Sequence, residues 1–256
     1  MNNQYYIKRL NFMRYILKIS YDGEGFAGYQ KQNNAVTIQE TLEGALSKVL
    51  GESVETVASG RTDAGVSAIE QTCHFDYEKE LDSKRVIGYA NSLLPRSIRV
   101  LSIEVAEDDF HARFSAHKKT YEYYFYTSRE ILPHYERIAT LVGYNLDITS
   151  MKNSCEYFLG EHDFSAFCAS NTSVTDKVRT IYALQIVELG EGLYKLVITG
   201  NGFLYNMVRI IMGTLVEVGL GKIKSEDLPK IIESCDRQKA GKTISAKGLC
   251  LKKVIY

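Results

Sequence analysis

Proline is scarce in this 256-residue chain, three residues in all, and long apolar runs are missing. With 11% aromatics beside so little proline, the composition excludes a chain disordered from end to end. The longest apolar stretches, such as Ile210-Ile211-Met212, fall far short of the roughly 20 residues a membrane helix needs, so no membrane partner is expected. Net charge is missing too. Lys and Arg number 31 and Asp and Glu number 31, so a nucleic-acid partner would have to be held by a local basic surface. The five cysteines, Cys73, Cys155, Cys168, Cys235 and Cys250, are odd in number and form no C-x-x-C pair, and no two histidines stand at i, i+4. Neither a zinc site nor a disulfide framework is expected, and the cysteines read as reduced thiols in a cytoplasmic protein. The opening Met1-Asn2-Asn3-Gln4 lacks the apolar core of a secretory signal.

What remains is an ordinary globular mix, 24% charged and 45% hydrophobic, long enough for one large or two small domains. Periodicity gives the elements. Strands are predicted at 14–21, 53–58, 71–77 and 98–105. Helices are predicted at 37–50, opened by a Thr37–Glu40 capping box, and at 82–94, capped by Asp82 and stopped by Pro95. This is the β-α-β-β-α-β order of a ferredoxin-like unit. A second such pattern follows: a strand at 119–127, a helix at 149–159, a hairpin of 180–189 with 193–199 around Gly190-Glu191-Gly192, an apolar helix at 206–218, an extra helix at 225–235 and a last strand at 248–255. The expected fold is α+β. Two ferredoxin-like halves would have antiparallel sheets meeting at a central cleft and helices on the outer face. Residues 1–12 would be a tail, 13–110 the first domain and 111–256 the second.

Several segments are candidates for chemistry. Gly23-Glu24-Gly25-Phe26-Ala27-Gly28 matches G-x-G-x-x-G, but no helix opens until Thr37, so the dinucleotide geometry fails and a glycine turn is the better reading. Ser59 to Ala68 places Arg61 and Asp63 in a glycine-flanked loop. It is either a turn in which Asp63 caps backbone N–H groups or a reactive carboxylate held beside a cation. Phe110-His111-Ala112-Arg113-Phe114 through Lys118, Lys119 and Tyr121 mixes bases and aromatics. That suits phosphate tracking and stacking, or else an ordinary linker entering a strand. In the helix at 206–218, Arg209 lies off the apolar stripe and would want a carboxylate partner. Arg237, Lys239, Lys242, Lys247, Lys252 and Lys253 give the tail a run of bases with no acid among them.

Taken in order, these segments resemble the tRNA pseudouridine synthase A family. The resemblance rests on Tyr21-Asp22-Gly23 with Gly28-Tyr29-Gln30, Gly60-Arg61-Thr62-Asp63-Ala64-Gly65-Val66, Phe110–Ala116 with Tyr121, Gly160-Glu161-His162-Asp163-Phe164-Ser165-Ala166-Phe167, Phe203 with Met207-Val208-Arg209, and Thr243 to Leu249. It implies an isomerase that replaces the N1–C1′ bond of uridine by C5–C1′, without cofactor or metal. By resemblance Asp63 is the nucleophile, and Arg61 turns the nucleotide out and fills its gap. Tyr121 stacks on the base, Arg209 pairs with Asp63, and Leu249 packs on the base. Residues 110–114, Lys118, Lys119 and the 168–175 loop meet RNA. A neighbouring Arg209 is expected to lower the Asp63 pKa. Three routes stay open: attack at C1′, removal of the C2′ proton to a glycal, or addition at base C6. The implied substrate is the anticodon stem-loop of tRNA, at roughly positions 38 to 40, extruded from its stack. The implied assembly is a homodimer crossed by one tRNA. The alternative is a non-catalytic tRNA-binding or chaperone paralogue on the same scaffold. The chain departs from the family at Ser67, where His is usual, at Tyr29, where Trp is usual, and in Cys168–Ser173.

Overall fold

In the computed structural model, residues 12–128, 133–143, 145–170, 172 and 174–256 are described, so the expected tail lies outside them but for Phe12. Strand β1 (Met13–Tyr21) buries Tyr15, Leu17, Ile19 and Tyr21 and leaves the alternate residues partly open, as its pattern demands. Helix α1 (Ile38–Leu50) begins where Thr37 Oγ1 accepts the Glu40 N–H at 3.3 Å, the Thr37 half of the expected capping box. It ends as Gly51 enters the left-handed region at φ 78°. After β2 (Val57–Ala58) and β3 (Ser67–Tyr77), helix α2 (Ser83–Leu93) is capped by Asp82 through the Arg85 N–H at 3.1 Å and stops short of Pro95. Strand β4 (Ile98–Val105) completes the first half.

The second half runs β5 (Lys118–Tyr126), α3 (Pro133–Glu136), β6 (Thr140–Leu141), α4 (Ile148–Ser154), β7 (Gly160–Asp163), β8 (Val178–Gly190), β9 (Leu193–Gly200), α5 (Met207–Gly219), α6 (Leu228–Glu233) and β10 (Leu249–Ile255). Two expected helices are shorter than their patterns. The one at 149–159 tightens into a 3₁₀ turn at Cys155–Phe158, and the one at 225–235 opens as a 3₁₀ turn at Ser225–Asp227 before Pro229 starts α6. Elements α3, β6 and β7 were not expected. The residues of β7, Gly-Glu-His-Asp, have no apolar alternation, because this edge strand is mostly solvent-exposed.

The expected pair of sheets is corrected. Among the described residues all strands join one 10-stranded sheet in the order β4-β1-β3-β10-β5-β9-β8-β7, with β2 on β3 and β6 on β5. Short β2 covers only the far end of β3, at His74 and Cys73. The near end would otherwise present unpaired N–H and C=O groups. The last strand fills that gap. Strand β10 runs parallel to β3 through Cys250↔Ser67 and Leu251↔Ala68, and antiparallel to β5 from Leu249↔Tyr123 to Ile255↔Lys118.

Two large cores and a small one, of Tyr126, Ala139 and Leu193, lie against this sheet. One large core packs Leu17, Ile19 and Phe75 on Leu42, Leu46 and Ala90 of α1 and α2. The other packs Tyr123, Phe125, Leu196 and Ile198 on α5. Tyr121 borders both, and Val66, though it belongs to the first half by sequence, is buried in the second core. Helix α5 lies unusually close to the segment after α6. A Cβ on Gly213 would overlap the Lys242 carbonyl oxygen, and one on Gly241 would come within 2.6 Å of the Thr214 backbone. The Gly241 N–H donates to Thr214 Oγ1 at 2.9 Å across the same contact.

This close approach reverses the usual sign of a helical Gly→Ala change. Gly44 of α1 has open space around its Cβ position, so Gly44→Ala is expected to stabilise by about 0.5–1 kcal/mol. Gly213→Ala is expected to destabilise by about 1–3 kcal/mol through overpacking. Urea unfolding midpoints of the two variants check both signs.

Candidate active site

The loop between β2 and β3, residues 59–66, is held mostly through its backbone. The Tyr29 N–H donates to the Thr62 carbonyl at 3.0 Å, and the Tyr21 hydroxyl meets Thr62 Oγ1 at 2.8 Å. Gln71, fully buried, donates to the Gly60 carbonyl at 2.9 Å and accepts from Ser59 Oγ at 2.6 Å. The Lys119 ammonium donates to the Ser59 carbonyl. Inside the loop the Val66 N–H returns to the Asp63 carbonyl at 3.1 Å. The Gly23–Gly28 segment is the seat of this loop. A Cβ on Gly23 would strike the Val66 carbonyl, and one on Gly28, at φ 93°, would reach 2.8 Å from the Thr62 carbonyl oxygen. Its glycines allow two backbones to touch, which leaves no phosphate cradle. The two family departures nearby have local partners: Ser67 Oγ accepts the Gly23 N–H at 3.1 Å, and the Tyr29 hydroxyl meets Cys73 Sγ at 3.0 Å.

This seating turns Asp63 toward the other half of the molecule. Arg209 Nη1, from the first turn of α5, lies 3.4 Å from Asp63 Oδ2. The guanidinium is fixed by two further bonds, Nε to the Ile244 carbonyl at 2.8 Å and Nη1 to Asn206 Oδ1 at 2.7 Å. Asn206 adopts φ 62°, which swings its amide under the helix start. The side chain of Asp63 is 32% exposed and that of Arg209 is 17% exposed. Burial raises the Asp63 pKa above its ordinary value, and the charge and hydrogen bond of Arg209 offset this only in part. The expected lowering by Arg209 is present, but desolvation outweighs it.

The carboxylate faces a cavity of about 860 Å³, within the roughly 300–1,000 Å³ of ligand pockets. Its charged lining is one-sided: among the described residues Asp63 is the sole acid, against Arg61, Arg113, Lys119 and Arg179. Val66, Tyr121, Phe203, Met207 and Leu249 supply an apolar wall. The Tyr121 ring meets Phe203 edge-on at 5.2 Å. Burial, and then the charge of Asp63, push the Tyr121 hydroxyl pKa up, so it is a neutral phenol.

Of the residues singled out from sequence, Asp63, Arg61, Tyr121, Leu249, Arg113 and Lys119 line this cavity, and Arg209 stands behind Asp63. Phe110, His111, Ala112, Phe114 and Lys118 do not line it. Ala112 is fully buried. Its N–H donates to His74 Nδ1 at 3.1 Å and its carbonyl accepts from the Tyr256 hydroxyl at 2.7 Å, so its place as an RNA contact is corrected to a packing one. Burial, then Arg14, pushes His74 down to about 4, so its ring is neutral and able to accept that bond. Phe110 packs on Tyr256 at 4.9 Å, and His111 packs on His74 at 4.8 Å and on Phe114 at 4.3 Å. Lys118 sits over the Tyr182 ring at 4.8 Å, and Phe114 is 76% exposed. Thr172 and Val174 of the 168–175 loop reach the cavity, while residues 171 and 173 lie outside the described ones. The basic tail is partly occupied within the protein: Arg237 bonds the Ala240 and Gly241 carbonyls, and Lys247 pairs with Glu136 at 2.8 Å. Arg179, Asn206 and Gln71 were missed. No local pattern singles any of them out from the polar residues along the chain.

The chain matches the family model described as tRNA pseudouridine synthase over residues 18–115 and 154–256. A tRNA pseudouridine synthase A from Bacillus subtilis is 45% identical over 247 residues, covering 95% of this chain and 99% of its own. Those from Brevibacillus brevis, 44% identical over 238 residues (93% and 97%), and Bacillus licheniformis, 46% over 246 residues (95% and 99%), are equally complete. A match across both halves, with relatives this similar over nearly their full length, means that the chain belongs to the tRNA pseudouridine synthase A family.

Proposed function

We propose that this chain converts uridine to pseudouridine in the anticodon stem-loop of tRNA, at roughly positions 38 to 40, by base flipping and rearrangement at Asp63. The observation that carries the reading is Asp63 itself. Among the described residues it is the cavity's one carboxylate, braced by an arginine from the opposite half, and the other charges of this nucleotide-sized cavity are cationic. The exposed Arg61 at the rim is placed to follow the extruded nucleotide into its stem. Arg113 and Arg179 offer charge to the flanking phosphates. Tyr121 and Leu249 then flank the base.

The chemistry sets the demands. The N1–C1′ bond breaks, the uracil turns without leaving, and C5 joins C1′ and loses its proton. Burial leaves the Asp63 carboxylate more basic than an exposed aspartate, which favours its bonding to carbon or taking a proton from C2′. The wall of Tyr121, Phe203, Met207 and Leu249 keeps the cut base in place while it turns. Tyr121, as a neutral phenol, is a wall and relay for the C5 proton, which passes to water.

The strand orders β4-β1-β3-β2 and β10-β5-β9-β8 support reading residues 13–110 and 111–256 as two ferredoxin-like units fused through β10. A homodimer that shares one tRNA, in the cytoplasm, belongs to the same reading and rests on the family likeness.

Asp63→Ala is expected to lower pseudouridine formation by more than about a thousandfold while tRNA binding persists, measured by nucleoside analysis of the reacted tRNA. Equal product from both proteins would remove Asp63 from the mechanism. No product from the wild type would leave the non-catalytic RNA-binding reading. A second expectation concerns pH. Asp63 acts as an anion and its pKa is raised, so the acid limb of kcat/KM lies above the ordinary aspartate value of 3.8. In Arg209→Gln both pKa-lowering effects are lost, so that limb moves to higher pH. A limb that stays in place, or moves down, would separate the limb from Asp63.

A further inference from the structure

We propose that Lys119 is a positioning residue for this reaction: from β5 its ammonium grips the Ser59 carbonyl and fixes the loop that presents Arg61 and Asp63, instead of holding an RNA phosphate. The inference rests on the reading that Asp63 performs the chemistry.

The geometry supports a built clamp. Lys119 stands opposite Gly200 on β9, which has no side chain to divert it. Its Nζ ends beside Gly60, where an added Cβ would come to 3.0 Å. The bond to the Ser59 carbonyl crosses from the second half of the molecule to the first. The next carbonyl, that of Gly60, is held by Gln71 from β3. Both peptide oxygens ahead of Arg61 are therefore held by side chains, one from each half, while the Arg61 side chain itself stays exposed. Burial, and then the charge of Arg113, push the Lys119 pKa down to about 8. A lysine displayed for phosphate keeps its hydration and its full charge. This one has given up much of its hydration to reach a backbone oxygen.

The two roles differ in what they move. A phosphate contact contributes to affinity, and its loss reduces the salt slope of tRNA binding by about 1. A positioning contact acts on the geometry of the reacting groups, where a displacement of about 1 Å costs up to ~100-fold in rate. The experiment compares wild type, Lys119→Met and Lys119→Arg on the same tRNA, with kcat, KM, binding at several salt concentrations and thermal unfolding measured for each. Lys119→Met keeps the stem and removes the donor. Its kcat is expected to fall roughly 10- to 100-fold, with KM within about twofold and the salt slope unchanged. Lys119→Arg keeps the charge but has a broader head for the space beside Gly60, so its kcat also falls while affinity holds. A raised KM with a shallower salt slope and intact kcat in Lys119→Met would overturn the proposal in favour of a phosphate contact. Unchanged kcat below the unfolding transition would reduce Lys119 to a structural residue and overturn it as well. If Lys119→Met does not fold, wild-type kcat in Lys119→Arg overturns it alone. Failure of the Asp63 reading is distinguishable, since it would appear as turnover in Asp63→Ala.

Discussion

The desolvation of one carboxylate governs the arrangement of this molecule. Asp63 is set where two-thirds of its side chain is out of water, and removing an anion from water is costly unless it is paired. At about 4 Å and an effective dielectric near 20, an opposite charge returns about 4 kcal/mol, which Arg209 at 3.4 Å can supply in large part. The return is incomplete, and the carboxyl stays more basic than an exposed aspartate. Such a residue is strained toward accepting a proton or a carbon centre. A fully exposed aspartate would lack that tendency, and a fully neutralised one would have lost it.

That balance holds only if the distance holds, and the distance is set by backbone contacts. Gly23 lets the β1 turn touch the Val66 carbonyl, Gly28 lets it touch the Thr62 carbonyl, and Gly213 lets α5 rest on the Lys242 carbonyl. The first two fix Asp63. The third fixes the segment leading to Ile244, whose carbonyl orients Arg209. Backbone-to-backbone packing has no side-chain rotamers to give, so both partners of the ion pair are referred to rigid frames. Val66 adds a further tie: placed in the second core, it anchors the first half's Asp63 loop inside the other half.

What the sequence conveys is local. Thr37 and Asp82 announce helix starts because a cap acts within a few residues, and the alternation of β1 is readable because its two faces differ in polarity. Arg209 stands out because a guanidinium on an apolar helix needs a partner, although only the fold reveals which one. The single sheet is not readable. Its joint is two pairs, Cys250↔Ser67 and Leu251↔Ala68, between residues far apart in sequence, and neither dipeptide carries a pairing signal. The Phe110–Phe114 segment is ambiguous for a different reason. Aromatic and basic residues have the same composition whether they face RNA or pack on His74 and Tyr256, so only burial separates the uses. The direction of the Asp63 shift was hidden in the same way: a sequence displays the arginine and not the water that is lost.

The charge pattern completes the physical picture. With 31 bases and 31 acids, the whole chain exerts little long-range pull on a polyanion, and at physiological salt what pull exists is screened beyond about 8 Å. Selection must therefore happen at contact. The cavity meets that need by grouping Arg61, Arg113, Lys119 and Arg179 around one acid. Within this group the cations are unequal. Lys119 is turned inward onto the protein's own backbone, whereas Arg61 and Arg113 remain exposed at the rim. A site that must first seize a phosphate backbone and then hold a detached base needs both kinds of cation, because mobile charge captures the substrate but only immobile charge can define where the carboxylate stands.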